Sequence, residues 1–280
     1  MVIDAHVHFW RYAEADYPWI DVAMGTLRRD RTMADLTPVM AGAGVDACVA
    51  VQARQTLAET TALLAQAALD PRIRGVVGWA PLSSPDITEI LAGLARDHRL
   101  VGLRHVVQDE PDPRFLLHSA FQRGIAALAR TDLAWDLLVR PPQWAAALEF
   151  ADRHSGQRMV LDHLGKPDIR AGGLAAWRAW IGELAQRGNV SVKISGLVTE
   201  ADPAAWSPEQ LSPYVDIALD AFGAQRAMVG SDWPVCTLGV AYGRWFELIR
   251  GWCARLTADE RDAVLSGNAT RFYRLPGAAR

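Results

Sequence analysis

The sequence predicts a single-domain α/β protein, a closed (β/α)8 TIM barrel spanning residues 1–280. Three observations predict it. Apolar, β-branched runs alternate with segments of helical periodicity along the whole chain. A length of 280 residues suits an undivided barrel. Polar and charged residues collect where the apolar runs end, which in such a barrel is the face that carries the chemistry.

The first run, Val2–Phe9, precedes a long loop over residues 9–31, where Tyr12, Tyr17, Pro18 and Trp19 suggest a cover for a pocket. A helix over Met33–Ala43 leads to the second run, Ala47–Ala53, and a helix over Thr56–Leu69. The third run is Val76–Pro81, after which Ser84-Pro85 opens a helix over Asp86–His98. The fourth, Val101–Val107, is paired with a helix over Phe115–Arg130, and the fifth, Ala134–Val139, with Gln143–His154. The sixth, Met159–Leu164, is paired with Leu174–Gln186; the seventh, Val190–Ile194, with a helix over Pro208–Phe222 that Ser207 caps. The eighth, Ala227–Ser231, precedes Tyr242–Leu256. Thr257 with Glu260 forms a capping box, so a helical C-terminal extension is expected over residues 257–280. Eight such repeats close a barrel rather than an open doubly wound sheet.

Composition excludes several functions. Apolar residues make up 50% and charged residues 22%, and the net charge of −3 is spread along the chain without a basic block, so no nucleic-acid partner is expected. No apolar stretch approaches the ~20 residues that cross a bilayer, and the N-terminal residues lack the basic region of a secretory signal. A cytoplasmic protein with no membrane partner is expected. Cys48, Cys236 and Cys253 form no CxxC pair and read as packing residues. The sequence sets no oligomeric state.

Strand alternation would turn Asp4, His6 and His8 to one side, with both imidazoles in the barrel mouth. Two histidines at this spacing on a buried strand need polar partners, which favours a site over core packing. Asp232 ends the eighth run, which adjoins the first in a closed barrel; Ser231-Asp232-Trp233-Pro234 also reads as a turn. Asp162 and His163 are adjacent on the sixth run and should face opposite ways, and His163 is the one expected inward. Gln52 and Arg54, Arg104 and His105, Asp136, and Lys193 and Ser195 place further polar groups on other runs, more than stability alone requires.

His6, His8, His163 and Asp232, so placed, resemble the amidohydrolase superfamily. The phrases Ile3-Asp4-Ala5-His6-Val7-His8-Phe9-Trp10, Leu161-Asp162-His163-Leu164-Gly165-Lys166-Pro167, Lys193-Ile194-Ser195-Gly196-Leu197 and Gly230-Ser231-Asp232-Trp233-Pro234-Val235 are similar to its sugar lactonase branch, which is related to pyrone-dicarboxylate lactonases. Asp16-Tyr17-Pro18-Trp19-Ile20, Val51-Gln52-Ala53 and Gly196-Leu197-Val198-Thr199-Glu200 look most like L-fuconolactonase and aldonolactonase members. The bridging group of binuclear relatives is absent: the fourth run offers Arg104-His105 and the fifth Asp136-Leu137-Leu138.

The resemblance implies a carboxylic ester hydrolase acting on a sugar lactone, with no organic cofactor. It implies one divalent ion, zinc by preference, on His6, His8, His163 and Asp232, or none. Lactone hydrolysis needs an activated water and stabilisation of an oxyanion, which assigns Asp232 as general base and a cation, or a protonated histidine with Arg104, as carbonyl polariser. Trp19, Gln52, Trp79, His105 and Trp233 are the candidate sugar-binding residues. A metal-dependent decarboxylase or deaminase and a non-catalytic sugar-binding barrel are the alternatives.

Overall fold

The computed structural model describes residues 1–276; residues 277–280, the end of the expected C-terminal extension, lie outside the described residues. Its strands are β1 (Ile3–Val7), β2 (Ala47–Val51), β3 (Ile73–Gly78), β4 (Leu100–His105), β5 (Ala134–Leu137), β6 (Met159–Leu161), β7 (Val190–Ile194) and β8 (Ala227–Val229). They form one parallel sheet in chain order. A parallel bridge between Val7 and Trp233 brings the last strand back to the first. Two hydrogen bonds stitch this seam, from Asp232 N to the His6 carbonyl (2.9 Å) and from His8 N to the Trp233 carbonyl (2.7 Å).

The barrel interior holds a plug of small and branched side chains that includes Ile3, Ala5, Val49, Val77, Val160 and Met228. The opposite strand faces, among them Val7, Ala50, Leu103, Trp135 and Leu161, pack in a separate layer against the helices. Those helices are α1 (Met33–Ala43), α2 (Leu57–Leu69), α3 (Ile87–Leu94), α4 (Ser119–Leu128), α5 (Trp144–Arg153), α6 (Leu174–Ala185), α7 (Leu197–Glu200), α8 (Pro208–Phe222), α9 (Tyr242–Cys253), α10 (Ala258–Asp262) and α11 (Asn268–Phe272). No described helix is long and apolar enough to cross a membrane.

Caps set several boundaries. Ser207 Oγ accepts from Gln210 N (3.3 Å) ahead of Pro208, and Thr257 and Glu260 cap each other as the sequence predicts. Four expectations need correction. β3 begins at Ile73 rather than Val76, because Gly75 interrupts the apolar pattern; a Cβ there would lie 2.8 Å from Val101. The helix after β3 starts at Ile87 and stops at Leu94. The expected helix over Phe115–Arg130 is a 3-10 turn over Phe115–Leu117 and then α4, separated by an extended His118. The short helix α7 carries a phrase that the sequence reading left as loop.

The 9–31 segment is not an open flap. Its base is closed by a bridge between Trp10 and Arg31, and it contains a 3-10 helix over Val22–Leu27. Trp10, Tyr17, Ile20, Leu27 and Ala53 give it a small core of its own. Glu59 ties it to α2: the carboxylate accepts from the backbone N–H groups of Ala53 (3.1 Å) and Arg54 (2.7 Å) and from the Tyr17 hydroxyl (3.3 Å). At the other end of the barrel, Ala269, Tyr273 and Leu275 join the interior plug.

Candidate active site

Three local distortions build the site. The first is in β1, where pairing runs from Asp4 opposite Cys48 to Val7 opposite Ala50, so β1 carries one extra residue. This bulge overturns the expected common direction of Asp4, His6 and His8. Asp4 is turned away from the histidines: its carboxylate accepts from Ser231 N (2.8 Å), Ser231 Oγ (2.5 Å), the Tyr242 hydroxyl (3.0 Å) and His6 N (3.1 Å). It therefore fastens the end of β8 to β1. Burial pushes its carboxyl up to about 6 against those hydrogen bonds.

The second distortion is at the end of β8, where Asp232 takes a left-handed backbone conformation, φ 61°. The third follows β6, which ends at Leu161, short of the expected Leu164. His163, Leu164 and Lys166 all have positive φ, a strain of about 1–3 kcal/mol each for residues with side chains. Tryptophans hold the turn, since Trp177 Nε1 donates to the Leu164 carbonyl (2.7 Å) and Trp144 Nε1 to that of Gly165 (2.8 Å). Because the strand has ended, the rule of opposite faces fails. Asp162 and His163 both enter the cluster, one from below and one beside the cavity. Gly196 makes room for the turn, for a Cβ there would stand 2.6 Å from His163 Nδ1.

His6, His8, His163, Arg104 and Asp232 come together, all buried. His8 Nε2 is 3.2 Å from Asp232 Oδ1, His6 Nε2 is 3.8 Å and His163 Nε2 3.9 Å from the same oxygen. His8 Nδ1 is 2.8 Å from the Val51 carbonyl and must donate to it, which turns Nε2 toward the Asp232 carboxylate. His163 Nδ1 meets Ser195 Oγ at 2.9 Å. Below them Arg104 Nη1 donates to Asp162 Oδ2 (3.1 Å), and Lys193 Nζ donates to Asp136 (2.5 Å) and reaches Asp162 (2.9 Å) and His6 Nδ1 (3.1 Å).

Electrostatics separate the roles. Burial disfavours the charge on Asp232, but His163, a hydrogen bond from His8, and His6 outweigh it and hold the carboxyl well below its ordinary range. Burial, reinforced by Lys193, drives the His6 imidazole far down, and burial brings His163 to about 4. These shifts all favour neutral rings beside an ionised Asp232. They disfavour a protonated His6 or His163 as carbonyl polariser and favour Arg104, the cation at the cavity floor, with Arg54 and Lys166 on the wall.

A cavity of about 740 Å³ opens above this cluster, within the size range of small-molecule sites. His8, Arg104, His163 and Asp232 form its floor, and His6 lies beneath them. Of the five expected sugar-binding residues, Trp19 alone lines it. Gln52 is buried under Arg104, whose backbone carbonyl accepts from its Nε2 (3.2 Å). Trp79 Nε1 donates to His105 Nδ1 (3.3 Å), and His105 is spent on Glu110 (2.6 Å) and on stacking against Phe115. Trp233 packs on Phe9. Sequence reasoning left Gln108, Lys166 and Glu200 on the wall unassigned. Gln108 Oε1 is buried without a hydrogen-bond partner, and Lys166 Nζ pairs with Glu200 at 3.1 Å.

The donor set suits a divalent cation. Ligand atoms of His6, His8 and Asp232 lie within 4.8 Å of one another. His8 Nε2 faces a carboxylate oxygen at 3.2 Å, an arrangement that calls for a shared proton or cation. Around it stand the carboxylates of Asp136, Asp162 and Asp232 against the cations of Arg104 and Lys193, one negative charge in excess.

Comparison with known proteins agrees with this geometry. Residues 3–275 match the family described as Amidohydrolase. The chain is 44% identical to an L-fucono-1,5-lactonase of Burkholderia multivorans, over 99% of this chain and 97% of that one. It is 40% identical to an L-fucono-1,5-lactonase of Burkholderia ambifaria, over 98% and 95%. A crystal structure of a Burkholderia multivorans amidohydrolase with bound zinc superposes with a TM-score of 0.95 at 44% identity, covering 99% of this chain and all of that one. Barrel, strand-end residues and matched relatives converge: this chain belongs to the amidohydrolase family.

Proposed function

We propose that the protein is a lactonase that opens an L-fuconolactone or a closely related sugar lactone with water. The observation that carries this reading is the buried Asp232 at the cavity floor beside His8, His163 and Arg104. The near full-length identity to L-fucono-1,5-lactonases supports the substrate class. The wall fits it too: Gln108, Lys166 and Glu200 offer partners for ring hydroxyls, while Met24, Val235 and Leu238 offer an apolar flank for the methyl group of a deoxy sugar.

In the reaction, Asp232 accepts a proton from water as that water attacks the lactone carbonyl. Arg104, fixed by Asp162, donates to the developing oxyanion. On collapse of the tetrahedral state the acyl–oxygen bond of the ring breaks, and Asp232 returns the proton to the departing ring oxygen. His8, anchored on Val51, and His163, anchored on Ser195, hold the carboxylate and water in line. His6, His8, His163 and Asp232 would hold a single divalent ion, zinc by preference; when bound it supplies Lewis-acid polarisation of the carbonyl.

A pH-indicator assay against L-fucono-, L-rhamnono-, D-arabinono- and galactonolactones tests the reading. Turnover is expected, highest on the L-fucono form. Fresh protein inactive on all four, with and without added zinc or manganese, overturns it.

A further inference from the structure

A column of buried polar groups runs down the barrel axis from the cavity floor to the C-terminal segment. Lys193, next to the last residue of β7, is wholly buried and does not line the cavity. Its ammonium, a donor only, sits between Asp136 Oδ2 (2.5 Å), Asp162 Oδ1 (2.9 Å) and His6 Nδ1 (3.1 Å). From below, the Tyr273 hydroxyl lies 2.9 and 2.8 Å from the two oxygens of Asp136, with Lys193 Nζ 5.5 Å from the centre of its ring. From above, Asp162 passes the contact on to Arg104.

Burying an ammonium and two carboxylates carries a large desolvation cost, and apolar side chains of the same volume often fill such a space as stably. Stability is therefore a weak reason for this column. Its upper end supplies a stronger one: the same ammonium touches His6 directly and Arg104 through Asp162, two groups placed at the reacting centre.

We propose that Lys193 and Tyr273 are positioning residues for lactone opening. Tyr273 fixes Asp136, Asp136 fixes Lys193, and Lys193 sets the His6 ring and the Asp162–Arg104 pair at the cavity floor. The C-terminal segment thus shapes a site at the opposite end of the barrel. This inference rests on the lactonase reading.

The test uses the full chain and four substitutions: Lys193→Met, Asp136→Asn, Tyr273→Phe and, as a control in the same plug, Leu275→Ala. Lys193→Met is expected to lower kcat by about 100-fold with KM changed by less than about threefold, since misplacing a reacting group acts on the transition state. Tyr273→Phe keeps the ring and its packing and is expected to lower kcat by about tenfold, as loss of an outer hydrogen-bond partner does. In the Asp136→Asn background the same change is expected to have little further effect, because its link is already broken. Leu275→Ala is expected to lower Tm while leaving kcat near wild type. If Lys193→Met does not fold, the Tyr273→Phe series decides. An active wild type together with an unchanged kcat in Tyr273→Phe, or an equal loss with and without Asp136→Asn, overturns the inference alone. An inactive wild type overturns the lactonase reading and the inference with it.

Discussion

The barrel interior is two cores stacked end to end. The lower half, with Ile3, Ala5, Val49, Val77 and Met228, is apolar apart from the Tyr273 hydroxyl that reaches up to Asp136. The upper half, with His6, Arg104, Asp136, Asp162 and Lys193, is as thoroughly buried and almost entirely ionisable or hydrogen-bonding. β1, β4 and β5 contribute to both, through Ile3 and His6, Val101 and Arg104, and Ala134 and Asp136, so the strand alone does not dictate the difference. Apolar burial stabilises at roughly 25 cal/mol per Å², whereas each buried ion costs several kcal/mol before its partners offset it. The lower half gives the barrel its stability; the upper half spends some of it to hold charges in fixed places.

That contrast can be broken or sharpened by substitution. The largest effect is expected from Asp232→Asn, which keeps shape but removes the proton acceptor. Activity should fall by about 1,000-fold or more while the thermal midpoint holds or rises; retained turnover would remove the base. Met228→Ala should do the reverse, costing about 2–5 kcal/mol in denaturant unfolding as a cavity opens, with kcat near wild type. On the cavity wall, Trp19→Ala removes an aromatic face and should raise KM by about tenfold with a smaller effect on kcat, measured by initial rates.

The smallest expected effect is electrostatic. Burial pushes the Glu59 carboxyl up to about 7 against hydrogen bonds from Arg54 and Ala53. Its folded value lies above its unfolded one, so the folded state binds more protons in between. Its contribution to stability is then greatest below about pH 4.5 and is lost as pH rises through about 7. Glu59→Gln should become progressively more stable relative to wild type across that window. A stability difference independent of pH, measured by urea unfolding from pH 4.5 to 8, would contradict it.

Much of this architecture was legible in the chain. Eight apolar runs fixed the number and order of strands, and capping residues such as Ser207 and Thr257 marked helix starts. His6, His8, His163, Arg104 and Asp232 stood out because ionisable groups at the ends of buried strands need a reason. What escaped notice depends on partners distant in sequence. The β1 bulge is a mismatch with β2 and leaves no mark on β1 alone, so Asp4 was assigned the wrong face. β6 ends early because non-glycine residues take positive φ, held there by Trp144 and Trp177 from two other helices. Trp79 and His105 have the chemistry of sugar binders, but they are occupied by their mutual hydrogen bond and the Glu110 contact, which the sequence does not show. Lys193 was visible as a strand residue, but its importance required Asp136, Asp162 and Tyr273 to be brought around it.

The extra residue in β1 bears on how such a chain can vary in length. Removing one residue between Asp4 and Val7 would restore even pairing with β2, and in doing so would exchange inside for outside on one side of the irregularity. Either the imidazoles would leave the mouth or the seam carboxylate would be driven into the apolar plug. Insertions and deletions should therefore be tolerated in the surface connections long before they are tolerated here, and homologues that differ freely in loop length should share a fixed spacing across this strand.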